Sequence, residues 1–396
     1  MAQASLITLE PIERGGVPAL TRTVYDILMK YGHTPHLIYS AIQEVPTQSR
    51  LTALKYFLTT PPVRRTHKEG MDSIAVADYP VAPRYKYHLL RLARQWLTAP
   101  ITAVVSGSSH VGLPLALTNH PYLLWVATIY EDELQARVDA GDAWARNFLA
   151  GTDWKILEAQ ERLVYERANI ILGLSPNTTA QIAARLPHVQ QKLQTLYYPI
   201  DTERFRPGTE PADPPYLLLT ARIRDPRKNV NMLLKSFARV RAEFPRLRLI
   251  ITGDEPLDST TALAAQLNLS DSVKFIGHVS TDDLITLYQS ATLFVFSSLQ
   301  EGLGISVLDA MSCGIPVVST RCGGPEGSVE DGITGLLTPN GDEIAFAQAI
   351  LSLLKNPERA RAMGAAARQR ALQTFAVPII EKQLHRAFAS VYPQHF

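Results

Sequence analysis

Glu301-Gly302-Leu303-Gly304-Ile305-Ser306-Val307-Leu308-Asp309-Ala310-Met311-Ser312-Cys313-Gly314-Ile315-Pro316-Val317-Val318 is the stretch on which the fold turns. An apolar strand at 293–296 leads into it, and a loop with two glycines follows. A helix starts at the second glycine, carries Val307, Leu308 and Met311, and gives way to another apolar strand at 316–319. Strand, glycine loop, helix, strand is the repeating unit of a parallel sheet. At the start of such a helix, backbone N–H groups and the positive helix end face the loop, which suits a phosphate or a sugar hydroxyl.

Upstream the same alternation runs on. Residues 216–220 form a strand; Leu233, Phe237 and Val240 mark a helix; 247–252 is a strand ending at Gly253, and 273–276 one ending at Gly277. Before it, Pro199, Pro207, Pro211, Pro214 and Pro215 break the pattern as a linker does. In the N-terminal half, 4–9 reads as a strand and Gly15-Gly16 as a turn. A helix follows with Val24, Ile27, Leu28 and Tyr31 on one face, stopped by Gly32 before a strand at 36–39. Apolar runs at 101–105, 123–128 and 170–174 continue the alternation, and a helix at 379–392 lies outside it. A chain of 396 residues exceeds one ordinary core. The expected architecture is α/β, with two Rossmann-like doubly wound parallel-sheet domains and an interdomain cleft; each strand's carboxyl end meets a glycine or polar loop, where open α/β sheets bind ligands.

Glu301 and Asp309 are separated by two helical turns, so both can line one side of a ligand. Alone, that spacing also describes a surface acid and a solvated helix acid. A second charged loop accompanies it: Arg222 stands at the carboxyl end of the 216–220 strand, in Ala221-Arg222-Ile223-Arg224-Asp225-Pro226-Arg227-Lys228-Asn229, with Lys228 near the next helix start. A guanidinium fork and an ammonium point charge together suit a diphosphate, although two solvated cations are the ordinary reading of charged loops.

The Glu301–Asp309 segment resembles the E-x7-E motif of the retaining glycosyltransferases of family GT4, the glycosyl transferases group 1 with the GT-B fold, and Arg222 with Lys228 resembles their donor-phosphate pair. Gly15-Gly16, Leu174-Ser175, residues 200–205, Gly323-Gly324-Pro325-Glu326 and residues 330–335 are also similar to that family's pattern, so the resemblance covers nearly the whole chain. It implies an acceptor-binding domain over 1–200, joined by a C-terminal crossover helix at 378–396, and a donor-binding domain over 201–377. It implies a hexosyltransferase that moves a sugar from a UDP- or GDP-sugar to a hydroxyl of a glycan, lipid-linked or small-molecule acceptor, with retained configuration. Arg222, Lys228, Glu301 and Tyr130 would be catalytic; Gly302, Leu303 and Gly304 would hold sugar hydroxyls or phosphate, and Asp309 the ribose. The backbone around Phe275 and Gly277 would hold the base, and Gly15 and Gly16 would approach the donor phosphate. Two departures stand out: an aspartate replaces the family's usual glutamate at 309, and Tyr130, in Ala127-Thr128-Ile129-Tyr130, stands where a histidine is common. Tyrosine donates a hydrogen bond but is a poor proton shuttle at neutral pH. His110, in Ser106-Gly107-Ser108-Ser109-His110, is an N-domain histidine that could substitute, although a lone loop histidine is more often incidental.

Other classes fit less well. A net charge of +2 without a helix-turn-helix or zinc-finger pattern argues against nucleic acid. Two cysteines, Cys313 and Cys322, suit buried thiols rather than a disulfide framework or a metal site. No metal or cofactor is expected beyond the nucleotide-sugar itself, and there is no Asp-x-Asp. With no apolar run of about 18 residues and no secretory leader pattern, a cytoplasmic location is expected. The basic, aromatic residues 84–96 suit either a core-facing amphipathic helix or a peripheral contact with the inner face of the membrane. A nucleotide-sugar-binding non-catalytic partner subunit and an epimerase of the same fold are the alternatives. A dehydrogenase is weaker, because no Gly-x-Gly-x-x-Gly follows the first strand.

Overall fold

The computed structural model describes residues 2–8, 16–40, 63–68, 70–76, 99–209 and 212–396. The chain divides into two compact units, the first comprising residues 1–134, 143–196 and 381–396, the second 135–142 and 197–380.

Among the described residues the first unit has eight strands: β1 (Gln3–Thr8), β2 (Thr34–Ser40), β3 (Val63–Lys68), β4 (Met71–Val76), β5 (Ile101–Ser106), β6 (Leu123–Val126), β7 (Ile170–Gly173) and β8 (Leu193–Thr195). Their order across the sheet is β3-β4-β2-β1-β5-β6-β7-β8. Strands β5, β6 and β7 are buried at every position, which is why they read as unbroken apolar runs: helices cover both faces of a parallel sheet. Ile7, Ile38, Val104, Leu124 and Ile171 meet Val164 and Ile182 from the helices Thr152–Arg167 and Pro176–Arg185 in one core. The first helix, Gly16–Lys30, buries Val24, Ile27 and Leu28 as its spacing predicts, while Tyr31 just beyond it is 40% exposed.

One departure from an all-parallel sheet is the β3–β4 hairpin, which pairs antiparallel and adds β3 at the edge. The Val-Arg-Arg-Thr-His-Lys sequence of β3 has no apolar run, as suits an edge strand with little to bury.

The helix Val377–Val391 begins in the second unit, and Glu381–Phe396 counts with the first. There Tyr392 is fully buried, its hydroxyl within 2.9 Å of the Thr102 carbonyl and 2.8 Å of the Pro121 carbonyl while accepting the Thr102 amide at 3.0 Å. Glu381 accepts from Lys30 at 2.6 Å.

The second unit holds β9 (Tyr216–Ala221), β10 (Arg248–Gly253), β11 (Val273–Phe275), β12 (Leu293–Phe296), β13 (Val317–Thr320) and β14 (Gly335–Thr338). Their order is β11-β10-β9-β12-β13-β14, and every pair is parallel. The chain therefore builds outward from β9 in one direction, then returns and builds from β12 in the other. That reversal opens a crevice at the carboxyl ends of β9 and β12, the place where doubly wound sheets take their ligands. Both charged loops singled out in the sequence leave from these two strands.

Candidate functional site

After β9, Asp225 caps a single 3-10 turn, Pro226–Lys228, its carboxylate accepting the Arg227 amide at 3.1 Å. The Arg227 guanidinium folds back onto the same carboxylate at 3.1 and 2.6 Å and reaches Gln300 at 3.1 Å. Burial alone would raise the Asp225 carboxyl, but the hydrogen bonds and charge of Arg227, with Lys228 nearby, hold it below the ordinary value. The carbonyls of Arg227 and Lys228 accept from the Leu299 amide and the Ser297 hydroxyl. The loop after β9 is thus clamped to the loop after β12 through main chain as well as side chains.

That clamp delivers Lys228 to Glu301. The two form an ion pair with side chains 10% and 14% exposed, and Ser298 donates to the same carboxylate oxygen at 2.9 Å. Lys228 also lies 6.0 Å from the centre of the Phe296 ring. Glu301 is held from behind, its amide donating to Cys322 at 2.8 Å and its carbonyl accepting from Gly324 at 2.8 Å.

Gly302, Leu303 and Gly304 are buried beside it, and Gly304, at φ 80°, takes a backbone conformation open to glycine as it precedes the helix Ile305–Ser312. Gly324 lies against this loop so closely that a Cβ there would come within 2.4 Å of Leu303 Cα.

Asp309 sits two turns into that helix. Among the described residues its carboxylate has no hydrogen-bond or ion-pair partner, and burial pushes it up to about 8. Beneath it Tyr288 is fully buried, within 3.0 Å of the Thr220 hydroxyl.

Phe275 ends β11 beside Ile251 of β10, and the Gly277 carbonyl, just beyond, accepts the Gly253 amide at 3.0 Å and the Thr252 hydroxyl at 2.6 Å. All of these positions lie on the carboxyl edge of the second sheet. Arg222 stands apart from the Lys228–Glu301 pair: its side chain is 63% exposed and comes no nearer than 3.6 Å to Asp225.

In the first unit Gly16 opens the helix after β1, and Tyr130 opens the helix Tyr130–Asp139 with its ring 6.3 Å from that of Trp154. Gly15 and the stretch 84–96 lie outside the described residues.

Asp225, Arg227 and Ser298 were not among the residues expected to matter. An aspartate followed by proline at a helix start is a legible capping signal that could have announced the turn that aims Lys228. Ser298 carries no local signal. No group of three His, Cys, Asp or Glu side chains among the described residues is arranged to hold a metal ion, and no helix among them is long and apolar enough to cross a membrane.

Two parallel-sheet α/β units, the second with a charged switch point before a glycine-capped helix, define the GT-B class of proteins. Over residues 201–370, less than half of its length, the chain matches the model of the glycosyl transferases group 1. It is similar to a GDP-mannose-dependent alpha-(1-6)-phosphatidylinositol monomannoside mannosyltransferase of Mycolicibacterium smegmatis, 29% identical over 59% of this chain and 67% of the relative. It is also similar to a D-inositol 3-phosphate glycosyltransferase of Saccharomonospora viridis, 29% identical over 54% of this chain and 53% of the relative. The chain thus spans about half to two thirds of the length of these curated relatives. Among solved structures, the sucrose-phosphate synthase of Thermosynechococcus elongatus aligns over 100% of both chains with a TM-score of 0.76 and 21% identity. The Anabaena protein HepE, solved with UDP-glucose, aligns over 98% of this chain and 100% of its own with a TM-score of 0.71 and 16% identity. These structures share the fold.

Proposed function

We propose that the chain is a hexosyltransferase that takes a sugar from a UDP- or GDP-sugar held at the carboxyl edge of the second unit. The sugar passes, with retained anomeric configuration, to a hydroxyl of a glycan, lipid-linked or small-molecule acceptor received by the first unit. The observation that carries this reading is the switch point between β9 and β12, where Lys228 meets Glu301 beside the Gly302–Gly304 amides.

Breaking the bond from sugar to diphosphate leaves negative charge on the departing phosphate. Preorganised donors facing that charge lower the barrier more than they stabilise the bound donor. Lys228 supplies a buried ammonium, Arg222 an exposed guanidinium whose fork suits phosphate oxygens, and the first turn of the Ile305–Ser312 helix supplies amides. Glu301 faces the sugar hydroxyls, and the unpartnered Asp309 carboxylate accepts from the ribose. The main chain at Phe275 and Gly277 lies along the base. Tyr130 stands in the acceptor unit as a hydroxyl able to donate. In this scheme the cations and amides answer the diphosphate charge, with no added cofactor.

The relatives' names give a choice of donors, GDP-mannose in one and UDP-glucose in the bound neighbour. Incubation with labelled UDP- and GDP-sugars, with product analysis, tests the reading. Release or transfer of sugar from one of them is expected. Nucleotide binding without release would point instead to a non-catalytic subunit, conversion of the free sugar nucleotide to an isomerase, and neither binding nor release would remove the proposal.

A further inference from the structure

The strand order of the first unit also reverses between β1 and β5, so the loop after β5 stands at a switch point of its own. That loop carries Gly107, Ser108, Ser109 and His110 into the short turn Ser109–Gly112 and the helix Leu113–Thr118. Behind it lies an acid that the proposed transfer does not use. Glu161 projects from the helix Thr152–Arg167 and is 8% exposed. Its Oε1 accepts the Ser108 hydroxyl at 2.8 Å and the Ser109 amide at 2.6 Å, and the His110 amide bonds to the same carboxylate. The Ser108 hydroxyl is in turn 2.8 Å from His110 Nδ1.

A serine hydroxyl has one hydrogen to give. If Ser108 gives it to the carboxylate, its oxygen must accept from Nδ1, so Nδ1 carries the ring proton and Nε2 the lone pair. The tautomer follows from the network, as it must where hydrogens are placed by their partners.

We propose that Glu161 is a positioning residue: acting through Ser108, it fixes His110 in the Nδ1–H form and leaves the ring lone pair on Nε2. The tautomer does not rest on the proposed transfer.

The relay has a second state. Burial raises the Glu161 carboxyl to about 7 against the hydrogen bonds of Ser108, Ser109 and His110. Tyr165 lies 3.1 Å from the Ser109 hydroxyl, and Glu131 and Asp132 face this region paired with Arg185. When Glu161 is protonated it donates to Ser108, Ser108 donates to Nδ1, and the ring proton moves to Nε2. His110 then changes from acceptor to donor with no side chain displaced.

Long-range proton–nitrogen correlation spectra of the full chain, made with isotope-labelled histidine and assigned with a His110→Asn variant, read the tautomer directly. The wild type should show Nδ1–H well above pH 7 and cross toward Nε2–H as Glu161 takes its proton. Glu161→Gln keeps an acceptor oxygen for Ser108, so it should hold Nδ1–H without the crossover, and Ser108→Ala should erase the preference. Thermal stabilisation by UDP or GDP, a property of the second unit, should persist in Glu161→Gln and shows that the variant is folded. A wild-type His110 protonated on Nε2 at alkaline pH, or a tautomer indifferent to Ser108→Ala, would overturn the proposal. Absence of sugar transfer with the Nδ1–H form intact would overturn only the transferase reading.

Discussion

Lys228 and Glu301, 73 positions apart in sequence, are brought into one buried ion pair by the clamp between the loops after β9 and β12. A buried pair is costly to assemble and costlier to break from one side, because the remaining charge loses its partner but not its burial. Lys228→Ala or Glu301→Ala should therefore destabilise the fold by about 3–5 kcal/mol in urea unfolding. The double variant Lys228→Met with Glu301→Leu should recover most of that loss, and, if the pair serves the proposed transfer, sugar release should be lost in it. A double variant as unstable as the singles would show that the pair itself, rather than the stranded charge, carries the stability.

Arg222 offers the opposite profile. Its side chain is 63% exposed and meets Asp225 only at 3.6 Å, so Arg222→Ala should leave the unfolding midpoint within about 0.5 kcal/mol of wild type. If the guanidinium answers charge on the leaving diphosphate, turnover should fall by about a hundred- to a thousand-fold, roughly 2–4 kcal/mol of transition-state stabilisation. Steady-state kinetics with the donor that the chain accepts decide it, and undiminished turnover would remove Arg222 from the mechanism.

The contrast between these two cations shows what could be read before the fold was seen. Strands buried on both faces announce themselves as apolar runs, which is why Leu123–Val126, Leu293–Phe296 and Val317–Thr320 were legible within a residue or two. The β3–β4 hairpin escaped because Val63–Lys68 alternates around polar residues with little to bury. Arg222 and Lys228 were named as an equal pair, yet one is exposed and the other buried. That difference is set by Asp225 and Arg227, which turn the chain, and by Ser297, Leu299 and Gln300 across the crevice, contacts between loops distant in sequence. The Glu161–Ser108 bond spans 53 positions and leaves no periodic trace for the same reason.

Asp309 couples stability to pH. Its folded value is pushed up to about 8, far above the 3.8 of a free aspartate, so between these limits the folded chain holds a proton that the unfolded chain has released. Stability from this group is therefore fully present at low pH and lost as pH rises from about 4 to about 8. Asp309→Asn should flatten that slope and raise the melting temperature at pH 8 and above, while weakening the thermal shift produced by UDP or GDP at that pH, because the ribose then meets a neutral amide oxygen in place of a carboxylate. Calorimetry across pH with and without nucleotide checks both signs; a variant with the wild-type slope would place the titration elsewhere.

Gly324 holds the glycine loop in place by lacking a side chain. A methyl group there would come within 2.4 to 2.5 Å of Leu303 main-chain atoms, which cannot swing aside as a side chain would. Gly324→Ala should push Gly302–Gly304 away from its position, cost about 1–3 kcal/mol as overpacking does, and abolish nucleotide-induced stabilisation. Gly332→Ala is the control: it also disturbs a glycine, at φ 81°, but nothing lies within 4 Å of its added methyl. That variant should show only the backbone strain of about 1–2 kcal/mol and keep the nucleotide response. Equal loss of nucleotide response in both would mean that the loop is sensitive to stability in general and not to its packing on Gly324.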